Sequence, residues 1–253
     1  MATTGTLDAE SRRDQLGLML TRDGVIRLDQ AATELAVSAM TIRRDLLDME
    51  ADGLLRRVRG GAMPPLGPRS FSERSASRSR AKSIIATKAT ALVPASGAIA
   101  LDASTTVGKL AGMIGGKEGL TIVSNSYENF LAARQGGGAA TVLIGGEPEA
   151  LTGSFVGPLA CTAASALLYR RFFTSASAVD AAHGSSEVSL AEVQVKHEFA
   201  KAAGETVLLA DSTKLDQHDV ARCFSWSSVS VLITELDPAD TRLDAYRELV
   251  ELR

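Results

Sequence analysis

Over the first sixty residues apolar side chains recur at helical spacing, with polar ones between them. Leu16, Met19 and Leu20 fall at i, i+3 and i+4; Ala32, Leu35 and Ala36 repeat the pattern, and Ile42, Leu46 and Met49 repeat it at i, i+4 and i+7. The spacing predicts three amphipathic helices. Asp29 and Ser38 stand where the second and third helices need N-caps, and Gly53 stands where the third should stop. "LLRRVRGGAM" then reads as a short strand pair turning near Gly60 and Gly61. Residues 8–62 therefore predict helix, helix, helix and hairpin, and the first domain is placed at 1–62.

The pattern then changes twice. Residues 63–82, "MPPLGPRSFSERSASRSRAK", hold three prolines and five serines with arginines between them, which is the composition of a solvated tether. Beyond it, apolar runs alternate with helical stretches: "AIALD" ending at Asp102, "TIVSN" at Asn125, "TVLIGG" at Gly146, "FTSASAVD" at Asp180, "TVLLAD" at Asp211 and "SVLITE" at Glu235. Parallel strands need crossover connections, so this alternation predicts an α/β domain over 83–253 with a mostly parallel sheet.

The third helix carries more than its core stripe. With Ile42, Leu46 and Met49 inward, the wheel is read with Thr41, Arg44, Asp45 and Asp48 on the opposite face and Arg43 on one flank. A hydroxyl and an arginine near the start of a helix suit entry into a DNA major groove. The competing reading is an Arg44–Asp48 ion pair at i, i+4 on a solvated face. Charge distribution favours DNA. The chain has a formal charge of −3, yet from Gly53 to Lys82 it holds Arg56, Arg57, Arg59, Arg69, Arg74, Arg78, Arg80 and Lys82 against Glu73. Helix, turn, helix and then a basic hairpin is the order of a helix-turn-helix with a wing.

Composition narrows the remaining classes. Hydrophobic residues at 45% and charged residues at 23% suit a soluble globular chain, with no apolar run long enough to span a membrane and no apolar export leader, so a cytoplasmic protein is expected. Cys161 and Cys223 lack CxxC spacing, and His183, His197 and His218 show no i, i+4 pairing; neither a disulfide nor a metal is expected. There is no GxxxxGK[ST] and no GxGxxG, so no nucleotide cofactor is expected.

"AATELAVSAMTIRRDLLDMEADGLLRRVRGGAM" resembles the winged helix-turn-helix of the DeoR-type bacterial transcriptional regulators, whose motif runs ELA…VS..TIRRDL..L…G.L.R.HGGA. The resemblance implies that Arg43 and Arg44 read DNA, with Ser38 and Thr41 as contacts at the helix start and Arg57 and Arg59 in the wing. Arg59 stands where the motif has histidine, which keeps a cation available for phosphate. "IALDASTTVGKLA", "TIVSNS", "VLIGGE", "EVQVK" and "VLLADSTKL" follow the sensor domain of that family in order, although Ala103 replaces the glycine of DGSTT and "FFTSASAVD" the more usual FIGASGVD. That sensor is similar in fold to ribose-5-phosphate isomerase.

Ligands of open α/β sheets bind beyond the carboxyl ends of the strands, where Asp102, Asn125, Asp180 and Asp211 fall, and the hydroxyls of Ser104, Thr105 and Thr106 open the next helix as a phosphate cradle would. Lys196 and Lys214 are ambiguous by themselves. The resemblance implies that a phosphorylated sugar or related metabolite is the effector, held by Asp102, Ser104, Thr105, Thr106, Asn125, Asp180, Lys196 and Lys214. The expected protein is a regulator, a repressor of a sugar-catabolism operon, binding double-stranded operator DNA as a homo-oligomer, dimer or tetramer. An activator of the same architecture is one alternative. A sugar-phosphate isomerase-like enzyme using Asp180, Asp211 and Lys196 is another.

Overall fold

The computed structural model describes residues 4–51, 54–64, 71–149 and 152–253. The chain divides into two compact units, residues 1–78 and 79–253.

The first unit contains α1 (Thr4–Asp23), β1 (Ile26–Arg27), α2 (Leu28–Glu34), α3 (Ala39–Ala51), β2 (Arg56–Val58), β3 (Gly61–Met63) and α4 (Phe71–Ala76). Leu16, Met19, Leu20, Ile42, Leu46 and Met49 are buried together with Ile26 as its core, as two of the three apolar stripes predict for α1 and α3. Burying each such side chain contributes about 1.5 to 3 kcal/mol. Ser38 caps α3, its Oγ accepting from the Thr41 N–H at 3.1 Å.

The hairpin turns through Arg59 and Gly60, since Val58 pairs with Gly61, and β3 also pairs with β1 to give a three-stranded antiparallel sheet in the order β1-β3-β2. Gly61 makes that third strand fit: a Cβ there would lie 1.8 Å from the Ile26 carbonyl oxygen. The sequence pattern carries no sign of β1, because two residues are too few for an alternation to show.

Other details differ from the sequence reading. Helix α2 begins at Leu28 with Arg27 at its N-cap position, so Asp29 lies within the first turn, where its charge still favours the helix dipole. Leu28 and Ala31 are its buried residues, while Ala36 sits in the following turn with φ of 52°. The expected stop at Gly53 lies outside the described residues. The described part of the segment read as a tether is largely helical. Arg78 pairs with Asp14 of α1 at 2.7 Å, and α5 (Ser79–Thr90) buries Ala81, Lys82, Ile85, Ala86 and Ala89. All three prolines of that segment precede residue 69, so nothing in residues 71–82 forbids a helix.

The second unit continues with β4 (Gly97–Leu101), α6 (Thr105–Ile114), β5 (Leu120–Ser124), α7 (Tyr127–Gln135), β6 (Ala140–Leu143), β7 (Glu147–Pro148), β8 (Phe155–Val156), α8 (Gly157–Ser165), β9 (Arg171–Ser175), β10 (Ala178–Asp180), β11 (Gly184–Glu187), α9 (Leu190–Lys201), β12 (Thr206–Leu209), β13 (Ala221–Arg222), β14 (Val231–Ile233) and β15 (Glu251–Leu252). Seven strands form one parallel sheet in the order β15-β14-β12-β9-β4-β5-β6. Successive side chains face opposite layers. Ile99, Leu101, Phe173, Val207 and Leu209 pack with residues of α5 and α6, while Ala100, Phe172 and Leu208 pack with residues of α8 and α9.

Two expectations about this unit change. "FTSASAVD" is two strands, β9 in the large sheet and β10 in a small antiparallel sheet with β11 and β13. The alternation also ends early: β12, β14 and β15 are joined through 3-10 turns and the short β13, not α-helices.

Candidate DNA interface and effector site

On α3 the inward positions are Ile42, Asp45, Leu46 and Met49. Asp45, expected on the outward face, stands three residues after Ile42 and four before Met49, on the inward face. Its carboxylate receives Arg12 of α1 through Nε at 2.5 Å and Nη2 at 3.0 Å. Asp48 is taken by Arg13 at 3.1 Å, so the Arg44–Asp48 pair does not form. Arg43, Arg44 and Arg59 are exposed, and among the described residues none of them has an ion-pair partner. Ser38 and Thr41 lie at the same end of α3, their hydroxyls 2.9 Å apart. Arg57 has a different job: Glu50 accepts from its backbone N–H at 2.7 Å and its Nε at 2.6 Å, which ties the wing to α3.

In the large sheet the chain runs outward from β4 through β5 and β6, then returns to place β9 on the other side of β4. The crevice between the carboxyl ends of β4 and β9 is therefore a topological switch point, the place where such sheets bind ligands. Asp102 closes β4 there and is 1% exposed. Its Oδ1 accepts from the Ser104 N–H at 2.9 Å; its Oδ2 accepts from Thr174 Oγ1 at 2.7 Å and the Ser175 N–H at 2.8 Å.

Lys196, on α9, reaches the same point: Nζ lies 3.0 Å from Asp102 Oδ2, donates to the Ser175 carbonyl at 2.8 Å and also pairs with Glu187. Lys214 donates to Ser175 Oγ at 3.0 Å and to the Ala176 carbonyl at 2.5 Å. Burial opposes both charges of the Asp102–Lys196 pair, and their mutual attraction prevails. Lys196, the Ser175 and Ser104 N–H groups hold the Asp102 carboxyl below its ordinary range, and Asp102 with Glu187 holds the Lys196 ammonium well above its own. Glu192, one turn before Lys196, behaves oppositely. Burial pushes its carboxyl up, although Thr152 Oγ1 donates to it at 2.5 Å and Ser154 Oγ also donates.

Of the other expected residues, Ser104 caps α6, its Oγ accepting from the Val107 N–H at 3.2 Å, and Thr105 and Thr106 are buried in the first turn. Asn125 ends β5 and donates through Nδ2 to the Phe155 carbonyl at 3.0 Å; its buried Oδ1 has no hydrogen-bond partner among the described residues. Asp180 stands apart. Its Oδ1 accepts from the Ala182 and His183 N–H groups at 2.9 Å and pairs with His183 Nδ1 at 2.7 Å, and none of these contacts reaches Asp102 or Lys196.

Thr174 falls in the departure "FFTSASAVD", while sequence reasoning missed Ser175, Glu187 and Asn129. Asn129 donates to the Asp102 carbonyl at 2.7 Å and the Ser104 carbonyl at 3.0 Å, holding the turn between β4 and α6. Only the packing of neighbouring elements brings these three to the site, so local spacing carried no signal for them.

Fold and sites together define a two-domain DNA-binding transcriptional regulator, in which a winged helix-turn-helix precedes an α/β domain with a charged cluster at the carboxyl ends of its strands. Residues 12–65 match the DeoR-like helix-turn-helix domain and residues 77–236 the DeoR C terminal sensor domain. The chain is 31% identical over 250 residues to the lactose phosphotransferase system repressor of Lactococcus lactis subsp. lactis, covering 96% of this chain and 97% of that one. It is 29% identical to the protein of the same name from Streptococcus mutans serotype c, covering 95% and 98%. Among solved structures it is similar to ribose 5 phosphate isomerase A from Neisseria gonorrhoeae, with a TM-score of 0.39 and 19% identity over 53% of this chain and 52% of that one. The chain belongs to the DeoR family. Among the described residues no helix is long and apolar enough to cross a membrane.

Proposed function

We propose that the protein is a repressor of a sugar-utilisation operon, released from its operator when a phosphorylated sugar binds the sensor unit, and that it acts as a homo-oligomer. The observation that carries the DNA half is the set of exposed guanidiniums of Arg43 and Arg44 on α3, at whose start Ser38 and Thr41 lie, and of Arg59 in the wing, none with an ion-pair partner among the described residues, while nearby acids are engaged by Arg12, Arg13 and Arg57. The relatives' names support repression and the sugar connection.

For the effector, the start of α6 offers backbone N–H groups and a positive dipole end to a phosphate, with Lys196 and Lys214 near the same strand ends. Asn125 Oδ1, without a hydrogen-bond partner among the described residues, is an acceptor that a sugar hydroxyl would satisfy. Asp180 is outside this assignment. An enzyme of the isomerase kind needs a group that exchanges protons near neutrality. Asp102 and Lys196 hold each other charged, so neither serves as that group; Glu192, its carboxyl raised by burial, is the one member of the cluster that an enzyme reading would have to use.

The test is a thermal-shift panel of sugar phosphates, each with its unphosphorylated sugar. A ligand at a hundred times its Kd stabilises the folded state by about 2.7 kcal/mol. One phosphorylated sugar should raise the sensor transition and its free sugar should not, and Lys214→Ala should abolish the rise. Equal shifts from the free sugar would remove phosphate from the reading.

A further inference from the structure

The outward face of α3 carries more than arginine. Met40 is 70% exposed and Leu47 49% exposed. With Ile42, Leu46 and Met49 inward, Met40, Arg44 and Leu47 follow one another at i, i+4 and i+7 along one outward stripe. Neither apolar side chain belongs to the core of the first unit. An exposed methionine is unremarkable by itself. Here it is the second residue of the helix, with Ser38 and Thr41 on either side of it in sequence and Arg43 and Arg44 one turn on, and neither guanidinium has a counter-ion among the described residues.

That mixture of one apolar side chain among unpaired cations and hydroxyls complements one surface closely. The major groove is flanked by phosphates and floored by hydrogen-bonding base edges, and its apolar group is the thymine C5-methyl. An apolar protein partner would leave the guanidiniums unpaired against it. Methionine is unbranched and polarizable, suited to packing on a single methyl. Leu47 lies about 10 Å further along the helix axis, beyond the end that enters the groove.

We propose that Met40 is a specificity-determining residue that packs on the C5-methyl of a thymine in each operator half-site, a reading that rests on the assignment of α3 as the DNA-reading helix. Arginines on this face then fix register and contact phosphate or guanine, while Met40 separates thymine from cytosine at one position.

The test uses the full chain and duplexes selected by it from a random library. Each thymine of the selected site is replaced singly by deoxyuridine, which removes the C5-methyl and leaves the hydrogen-bonding edge intact. Wild type should lose about fourfold in affinity at one thymine per half-site, the value of one buried methyl group. Met40→Ala should bind the thymine and deoxyuridine duplexes equally at that position and keep wild-type sensitivity elsewhere. Identical responses of wild type and Met40→Ala at every thymine overturn the proposal, as does a selected site with no thymine. A change of oligomeric state in Met40→Ala without a change in methyl sensitivity would make the stripe a protein interface and overturn it too. Failure to select any duplex would instead overturn the DNA reading of α3 itself.

Discussion

Lys196 joins the two sides of the sensor site, since its ammonium on α9 meets the carboxylate that closes β4 and a second one on β11. Removing one member of a buried pair leaves its partner charged and unmatched, at a cost of about 3 to 5 kcal/mol. Lys196→Met therefore destabilises the sensor unit by about that amount, measurable by urea unfolding. It is a poor probe of effector binding, whereas the half-buried Lys214 can be altered without stranding two carboxylates. The acid-side behaviour also follows. Asp102 has a lowered folded pKa, so its contribution is complete above the unfolded value of about 3.9 and disappears as pH falls through the folded one. Lys196 is raised, so its contribution holds below about 10.4 and disappears as pH rises through its folded value. Glu192 has the opposite sign from Asp102: a raised carboxyl loses stability as pH rises from about 4.3 through its folded pKa. Glu192→Gln should remove that fall, seen as a smaller difference between the sensor's melting temperatures at pH 5 and pH 8; an unchanged difference would mean that Glu192 does not titrate in that window.

At the scale of elements, α3 and the wing depend on two small residues. Ser38→Ala removes the cap of α3 and should cost about 1 kcal/mol, with a matching loss of operator affinity. Gly61→Ala drives a methyl into the Ile26 carbonyl and should uncouple β1 from β3, so calorimetry of the full chain would show the first unit's transition lowered and the sensor's unmoved. These elements were largely legible: the Ile42, Leu46 and Met49 stripe gave α3, Ser38 gave its cap, and the apolar runs gave the sheet strands. What was not legible depended on partners distant in sequence. Asp45 looked like a surface acid until Arg12, 33 residues earlier, came to meet it. Lys196 is ambiguous by its spacing alone, and only the approach of α9 to β4 and β11 shows its carboxylates. Two-residue strands such as β1 and β15 are too short for periodicity.

At the scale of the molecule, control of transcription requires the effector to distinguish two states of the protein. A coupling of about 1 to 3 kcal/mol changes operator affinity by roughly 5- to 150-fold, and reciprocity requires operator DNA to weaken effector binding by the same factor. A single winged domain reads a short site, and two-fold symmetry in the protein would match paired half-sites. Light scattering on the complex should therefore find two or four chains per operator. The most direct measurement of the central claim is binding of the full chain to duplex DNA from its own upstream intergenic region at fixed salt, with sugar phosphates titrated into the complex. The account predicts specific binding, lost in Arg44→Ala by about 1 to 3 kcal/mol, and release by one phosphorylated sugar but not by its unphosphorylated form. Binding that no sugar phosphate alters would contradict it.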